Sequence, residues 1–213
     1  MGLVIDLWSK ERVFATLRQG GSRVLVPHVL ELHTTLNAGA LFGWGAGHTE
    51  LFLVASIVAL ALVLWMFAQS QAGRWLVHVA LGAILAGALG NMYDRAFVRL
   101  IEYPLKTTQG TFVRYFVPQL SVDGQWLLLH EYPPVRDQPV HRLPAAASKT
   151  LPPARGYVRD FIKIPTRWFG RREAWPWVFN VADMLLVGGV GVLALRMLRE
   201  RRAADGDEAA VPG

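Results

Sequence analysis

Three long apolar segments interrupt the polar stretches of the chain and predict membrane-spanning helices. Residues 51–68 and 75–93 contain no Asp, Glu, Lys or Arg, and residues 177–195 contain a single charged side chain, Asp183. At 1.5 Å per residue, a helix of this length crosses most of a hydrocarbon core about 30 Å thick. Only the short turn 69–74 separates the first two segments, so they are expected to form a helical hairpin. The pattern therefore predicts an all-α polytopic membrane protein.

The beginning of the chain does not fit a complete span. Only Met1–Ile5 precedes the first charged residue, Asp6, and five residues are too few to cross a bilayer. The stretch has no positively charged segment before it, so it does not have the pattern of a signal peptide. We expect a first helix that is present in truncated form.

A different periodicity between the second and third apolar segments predicts a small β-rich insertion at residues 96–157. Residues 111–117 are β-branched or aromatic and partly alternate, residues 122–125 form a turn, and residues 126–132 continue the pattern. The chain is accordingly divided into residues 1–95, with the truncated helix and the helical hairpin, the insertion, and residues 158–213, with the last span.

Charge sets the expected orientation. Hydrophobic residues make up 53% of the chain and charged residues only 18%, with a formal net charge of +6. The cationic flanks of the spans should face the cytoplasm, namely Arg74, Arg196, Arg199, Arg201 and Arg202. Residues 6–50 and 95–170 then lie on the outer side of the membrane. This placement disfavours nucleic acid as a partner and favours membrane phospholipid for the basic insertion.

Composition also limits the chemistry. The absence of cysteine excludes a disulfide framework, a thiolate zinc site and a cysteine nucleophile. None of the six histidines has metal-ligand spacing such as His-Glu-x-x-His, so we expect neither a metal nor an organic cofactor.

Polar residues at the ends of the predicted spans are the first candidates for a functional site. Asn91 and Asp94 close the second span, and Asn180 and Asp183 open the third, each pair sharing one helix face. An Asp at the centre of a span costs about 2.5–3.5 kcal/mol on insertion scales, so intramembrane acids tend to be functional. The alternative is that both acids reach towards water, or that Asp94 only pairs with its neighbour Arg95.

A third acid, Asp160, stands just before the last span and could meet Asp183. Two carboxyl groups at close range share one proton and titrate as a pair. One can then activate a water molecule while the other protonates a carbonyl oxygen. Such a dyad can hydrolyse an amide bond.

Five short blocks in this order resemble the conserved blocks of the lipoprotein signal peptidases (signal peptidase II), which are bacterial membrane aspartyl proteases. They are Asp6-Leu7-Trp8-Ser9-Lys10, Asn37-Ala38-Gly39-Ala40-Leu41-Phe42-Gly43, Gly90-Asn91-Met92-Tyr93-Asp94-Arg95, Val158-Arg159-Asp160-Phe161 and Trp175-Pro176-Trp177-Val178-Phe179-Asn180-Val181-Ala182-Asp183. Each block is weak alone, but together they cover most of the chain outside the insertion.

The resemblance implies an endopeptidase that removes the signal peptide of prolipoproteins, on the amino side of a cysteine that carries diacylglycerol. It implies four transmembrane helices with a small periplasmic β-structure. The family's catalytic dyad corresponds to Asp160 and Asp183. Substrate-binding or supporting positions correspond to Asn37, Asn91, Asp94, Arg95 and Asn180, and a supporting pair near the first helix corresponds to Asp6 and Lys10.

Two departures from the family pattern leave alternatives open. The first helix is almost absent, and residues 96–157 replace what is normally a short connection. One alternative is a catalytically impaired relative that acts as a lipoprotein-binding or scaffold protein. A proton or cation transporter is less favoured, because its ionisable groups would be expected near the midplane of the membrane. We expect a monomer in either case.

Overall fold

The computed structural model describes residues 1–18, 20–38, 49–71, 73–107, 110–134, 140–165, 167–168, 172–173 and 176–209. Residues 39–43 of the block that begins at Asn37, and Trp175 of the last block, therefore lie outside the described residues.

Four helices are described. They are α1 (Gly2–Thr16), α2 (Thr49–Gln69), α3 (Trp75–Phe97) and α4 (Val181–Ala209). Within the described residues, α3 and the part of α4 at Val181–Arg202 are long and apolar enough to cross a membrane, and the apolar part of α2 at Ile57–Gln69 is shorter. Helix α2 contains the predicted span at 51–68 and α3 contains that at 75–93, whereas α4 begins at Val181, so the first four residues of the predicted span at 177–195 precede the helix.

Helices α3 and α4 pack closely because small residues line their contact. A Cβ added to Gly87 would collide with the backbone oxygen of Ala182, and one added to Gly189 would lie 2.6 Å from the oxygen of Ala80. Glycine at such positions lets two helix backbones approach without a side chain between them. This close contact sets the separation of the two helix ends that carry Asn91 and Asp183.

Eleven strands are described. In chain order they are β1 (Ser22–Val26), β2 (Leu30–Asn37), β3 (Arg99–Thr107), β4 (Gly110–Leu120), β5 (Trp126–Glu131), β6 (His141–Pro144), β7 (Arg155–Gly156), β8 (Val158–Lys163), β9 (Arg167–Trp168), β10 (Arg172–Glu173) and β11 (Val178–Phe179). A short 3₁₀ helix at Ala145–Lys149 follows β6.

The strands form a four-stranded sheet in the order β1-β2-β8-β11, a five-stranded sheet in the order β6-β5-β4-β3-β7, and the ribbon β9-β10. All pairings are antiparallel. The predicted hairpin of the insertion is confirmed as β4 and β5, which pair from Phe116–Glu131 to Leu120–Leu127.

Tyr157 connects the two larger sheets. It stands between β7 of one sheet and β8 of the other, and its backbone N–H donates to the oxygen of Val98 at the end of α3. Its ring is fully buried and meets Tyr115 edge-on, with centroids 5.2 Å apart. Its hydroxyl donates to Glu102 over 2.8 Å. The five-stranded sheet is thereby joined to the strand that carries Asp160.

The prediction of an all-α fold is wrong. Helices account for the apolar segments, but the structure also contains two substantial sheets, and the four-stranded one is built from residues 22–37, 158–163 and 178–179, outside the predicted insertion. The physical reason is that β2 and β8 are short and pair across a separation of more than a hundred residues. Hydrophobic periodicity is a local signal, so it detects long helices and gives little indication of such non-local strand pairs.

Candidate active site

Asp160 is held in the middle of the four-stranded sheet. It lies on β8 opposite Thr35 of β2, and it is only 2% exposed. Each carboxylate oxygen accepts a hydrogen bond from an asparagine amide, Oδ2 from Asn37 over 3.0 Å and Oδ1 from Asn180 over 2.6 Å. Strand pairing thus brings Asn37, at the end of β2, to the first acid of the predicted dyad.

Asp183 stands in the first turn of α4 and is only partly buried. Its Oδ1 accepts from the side-chain amide of Asn91 over 2.8 Å, and its Oδ2 accepts from the backbone N–H of Asn180 over 3.1 Å. In return, the backbone N–H of Asp183 donates to Oδ1 of Asn180 over 3.0 Å. This reciprocal pair is a helix N-terminal capping arrangement, which supplies acceptors to amides that have no partner within the helix.

Asn180 therefore contacts both acids, and the two carboxyl groups interact. Burial is the main cause that raises the pKa of Asp160 to about 7, and the negative charge of Asp183 raises it further, against the opposing hydrogen bonds from Asn37 and Asn180. A carboxyl group with such a pKa holds a proton near neutral pH, which is what an acid catalyst requires.

Lys10 determines which way the amide of Asn91 points. The ammonium of Lys10 is fully buried and donates to Oδ1 of Asn91 over 3.1 Å, and Asn180 donates to the same oxygen over 3.1 Å. An ammonium can only donate, so Asn91 must present its oxygen to Lys10 and its nitrogen to Asp183. The orientation of this amide is thus set by a cation on α1.

Asp6 links α1 to the start of α4. Its Oδ2 lies 2.8 Å from Nζ of Lys10, and its Oδ1 accepts from the backbone N–H of Ala182 over 2.8 Å. The side chain is fully buried. A Cβ on Gly90 would collide with this carboxylate, which explains why the block before Asn91 begins with glycine. The predicted pair Asp6 and Lys10 thus lies directly beneath the two acids.

Asp94 is the charge partner of Lys10 and of Arg159, a residue that the sequence reasoning missed. It lies 3.3 Å from Nζ of Lys10, and its Oδ1 accepts from Nε and Nη2 of Arg159 over 3.1 and 2.8 Å. Its Oδ2 also accepts from the backbone N–H of Arg159 over 3.0 Å. These contacts fix the residue immediately before Asp160 to helix α3. Arg159 in turn reaches the exposed carboxylate of Glu11 over 2.8 Å.

Arg95 also lies in this region. Its guanidinium interacts electrostatically with Asp160 and Asp183 as well as with Asp94. Asp94 also forms ion pairs with Lys10 and Arg159.

The nine predicted site residues therefore converge in one region where α1, α3, α4, β2 and β8 meet. The chain contains three asparagines, and all three donate amide hydrogens to the two acids. In the described part of the chain, no group of three or more His, Cys, Asp or Glu side chains is arranged to hold a metal ion. Two carboxyl groups on one hydrogen-bond network are capable of exchanging protons with a bound molecule.

Comparison with known proteins gives a consistent result. The family described as "Signal peptidase (SPase) II" matches residues 1–199. The lipoprotein signal peptidase of Desulfitobacterium hafniense is 27% identical over 201 residues, covering 92% of this chain and 90% of that protein. The lipoprotein signal peptidase of Halalkalibacterium halodurans is 28% identical over 203 residues, covering 95% and 90%.

Solved structures support the fold. A bacterial membrane enzyme determined by the in meso method at 2.3 Å resolution superposes with a TM-score of 0.61 at 22% identity, covering 94% of this chain and 84% of that one. A second such structure, at 1.9 Å resolution, has a TM-score of 0.58, also at 22% identity, and covers 92% and 87%. Since the family match extends over nearly the whole chain, this protein belongs to the signal peptidase II family.

Proposed function

We propose that this protein is a membrane-embedded aspartyl endopeptidase that removes the signal peptide from diacylglyceryl-modified prolipoproteins. Its family is one of membrane proteases that remove signal peptides from lipoproteins. The aspartic mechanism, the lipidated substrate and the residues in each role are the proposal. One observation carries it: Asn180 bonds to both Asp160 and Asp183, so that two acids of unequal burial share one hydrogen-bond network.

Asp160 and Asp183 have different roles because their surroundings differ. Asp160 is buried with a pKa of about 7, so it holds the proton that it donates to the carbonyl oxygen of the scissile amide. Asp183 is partly exposed and accepts the proton of a water molecule, whose oxygen attacks the carbonyl carbon. The carbon–nitrogen bond of the resulting gem-diol then breaks, the leaving amine takes up the proton from Asp183, one hydroxyl of the diol returns its proton to Asp160, and the product acid and amine separate.

The supporting residues act on position and charge rather than on bonds. Asn37, Asn91 and Asn180 direct N–H groups at the acids, and Arg95 supplies positive charge beside them. Lys10 forms buried ion pairs with Asp6 and Asp94 next to these residues. Fixed dipoles that are already aimed at the reacting groups need no reorganisation during the reaction, which is the main benefit of such a layer.

The bilayer contributes to specificity in this proposal. We place the chain in the inner membrane as a multi-pass protein with its two acids near the periplasmic surface, where phospholipid surrounds the helices. Asp183 is only three residues past Asn180, at the point where α4 begins. A diacylglyceryl cysteine anchored in the same leaflet would bring the bond on its amino side to this level.

The decisive experiment is cleavage of a lipidated prolipoprotein by the wild type, Asp160→Asn and Asp183→Asn in proteoliposomes. We expect each substitution to reduce kcat by at least about 10³-fold, because neither amide can exchange a proton as the acid does. Asp123→Asn is the matched control, since Asp123 lies in the exposed turn between β4 and β5 and should leave cleavage unchanged.

Substantial cleavage by either site variant would exclude the dyad. A wild type that binds the lipidated substrate but does not cut it would instead support the scaffold alternative. Correct insertion of each variant is checked by protease accessibility of the basic end of α4, at residues 196–202, so that loss of activity is not confused with loss of the protein.

A further inference from the structure

Arg159, the residue before Asp160 on β8, is contacted from three separate parts of the chain. Its guanidinium donates to Asp94 of α3 through Nε and Nη2, and to Glu11 of α1 through Nη1 over 2.8 Å. Arg159 is only 4% exposed, so most of these bonds are made away from water. Since its backbone N–H also donates to Asp94, strand β8 is fixed at the position next to Asp160.

The third contact on Arg159 comes from Tyr132, a residue of the inserted segment 96–157. Tyr132 follows β5, and its backbone N–H donates to the oxygen of Tyr115 over 2.8 Å, so it continues the pairing of β5 with β4. The side chain of Tyr132 forms a hydrogen bond with that of Arg159. A guanidinium can only donate, so the tyrosine oxygen is the acceptor. The inserted segment is thereby bonded to the residue beside Asp160.

The ring of Tyr132 is held in place by packing. It contacts the ring of Phe14 of α1, with centroids 6.2 Å apart, and lies against the buried cluster that contains Tyr157 and Phe161. Burial is the main cause that raises the pKa of Tyr132 to about 12, so the hydroxyl keeps its proton at neutral pH. Tyr132 therefore offers Arg159 a neutral acceptor on a ring that cannot move freely.

These contacts on Arg159 exceed what charge balance requires. Asp94 already has a second buried cation, since Nζ of Lys10 lies 3.3 Å away. The side chain of Glu11 is 78% exposed, and an ion pair with such a partner contributes little to stability. What Glu11 and Tyr132 add is direction, because a guanidinium donates within one plane and each acceptor fixes part of that plane.

We propose that Tyr132 is a positioning residue for the cleavage reaction, which holds the guanidinium of Arg159 and thereby keeps the carboxyl group of Asp160 in place. The inference rests on the proposed function, in which Asp160 is the proton donor. Misplacing a catalytic group by about 1 Å can cost about 10²-fold in rate, so a contact one residue away can control turnover. The inserted segment thus influences the rate of cleavage through Tyr132.

Cleavage of a lipidated prolipoprotein in proteoliposomes by the wild type, Tyr132→Phe and Tyr103→Phe tests the inference. Tyr132→Phe removes the acceptor oxygen and keeps the ring. Tyr103→Phe is the matched control, because Tyr103 belongs to the same segment but packs edge-on against Phe116 in a different buried cluster. We expect Tyr132→Phe to lower kcat about 3- to 10-fold with KM changed less than about twofold, and Tyr103→Phe to keep both constants within about twofold.

A double-mutant cycle with Arg159→Gln distinguishes action through Arg159 from a general loss of stability. If Tyr132 acts through the guanidinium, Tyr132→Phe should lower kcat by less than about 1.5-fold once Arg159→Gln is present. Arg159→Lys takes the place of Arg159→Gln if the latter fails to insert, because lysine keeps the charge but lacks the planar set of donors.

Three results in the variants would overturn the inference. They are an unchanged kcat in Tyr132→Phe, an equal loss in Tyr103→Phe, and the same loss from Tyr132→Phe with and without the guanidinium. A wild type that does not cleave the lipidated substrate would overturn the proposed function and this inference with it. A wild type that cleaves no faster than Tyr132→Phe would overturn this inference alone.

Discussion

The side-chain amide of Asn180 lies 2.6 Å from Oδ1 of Asp160 and donates a hydrogen bond to it. Through its backbone N–H the same asparagine also bonds to Asp183. The first prediction follows from this double contact. Asn180→Ala removes the amide while the backbone bond remains, and a lost hydrogen bond to a charged group costs about 1.5–3 kcal/mol. We expect kcat to fall about 10- to 100-fold with KM changed less than threefold, measured on a lipidated peptide.

Gln125→Ala is the control for this substitution, since Gln125 is an exposed amide residue in the turn between β4 and β5. A fall in kcat of less than about twofold for Asn180→Ala would show that the amide does not act on the dyad.

The pH dependence of cleavage should report the proton on Asp160. Its pKa is raised to about 7, so the dyad holds its proton below this pH and loses it above. We expect kcat/KM to decline as the pH rises through about 7, approaching a tenfold loss per unit well above that value. Rates measured from pH 5 to 9 in buffers of constant ionic strength test this. A profile that is flat between pH 6 and 8.5 would contradict the assignment.

The free energy of unfolding should also depend on the protonation of Asp160. The ordinary pKa of 3.8 applies when the chain is unfolded, and the raised value applies when it is folded, so the folded state binds more protons between the two. The free energy of unfolding should therefore fall as the pH rises from about 4 to 7, by an amount on the order of 2–4 kcal/mol.

Asp160→Asn removes this titration. Its unfolding curves in detergent should consequently depend less on pH over that range than those of the wild type. The quantity compared is the slope of the free energy of unfolding against pH for each protein. Equal slopes would exclude a raised pKa at Asp160.

Two glycines of α3 offer a matched comparison of helix packing. A Cβ at Gly87 would collide with the backbone of Ala182, whereas a Cβ at Gly82 has nothing within 4 Å. We expect Gly87→Ala to lower the free energy of unfolding by about 1–3 kcal/mol through overpacking. Gly82→Ala should be neutral or slightly stabilising, because alanine favours the helix more than glycine does. Thermal unfolding in detergent compares the two, and similar effects from both would mean that the α3–α4 contact does not depend on glycine.

Removing the ammonium of Lys10 should lower the free energy of unfolding, and a second substitution should partly restore it. Lys10→Met leaves the buried carboxylates of Asp6 and Asp94 facing each other without the ammonium between them. Loss of one partner from a buried ion pair costs about 3–5 kcal/mol. Because Arg159 still pairs with Asp94, one buried negative charge is left without a partner; the double variant Lys10→Met with Asp6→Asn removes it and should unfold at a higher temperature than the single variant. A double variant no more stable than Lys10→Met would indicate that packing around Lys10, rather than its charge, is what matters.

The sequence predicted the residues of the site better than it predicted the scaffold around them. Asn91 and Asp183 could be expected to meet, because the second span ends and the third begins on the same side of the membrane. Asp94 lies with the other predicted site residues, but the sequence did not indicate its contacts with Arg159. Arg95 is its sequence neighbour, whereas Arg159 reaches it only because β8 passes the end of α3.

The sequence did not predict the four-stranded sheet, for a related reason. The strand that carries Asp160 pairs with β2, and Asn37 and Asp160 are 123 residues apart. The stability of such a strand pair comes from contacts between segments that are far apart in the sequence. A short stretch of sequence therefore does not indicate which strands will pair. A usable signal was present in residues 30–37, where apolar and polar side chains alternate before Asn37.

The hydrogen bond from the N–H of Ala182 to Asp6 has a consequence for the order in which the enzyme can be made. Asp6 precedes Ala182 by 176 residues, so it is synthesised well before the N–H group whose hydrogen bond it accepts. Until α4 has formed, Asp6 lacks the N–H group of Ala182 as a donor, and the side-chain amide of Asn91 lacks Asp183 as an acceptor. In a nascent chain the hydrogen-bond network around Asp183 therefore stays incomplete until α4 has been made and has packed against α1 and α3.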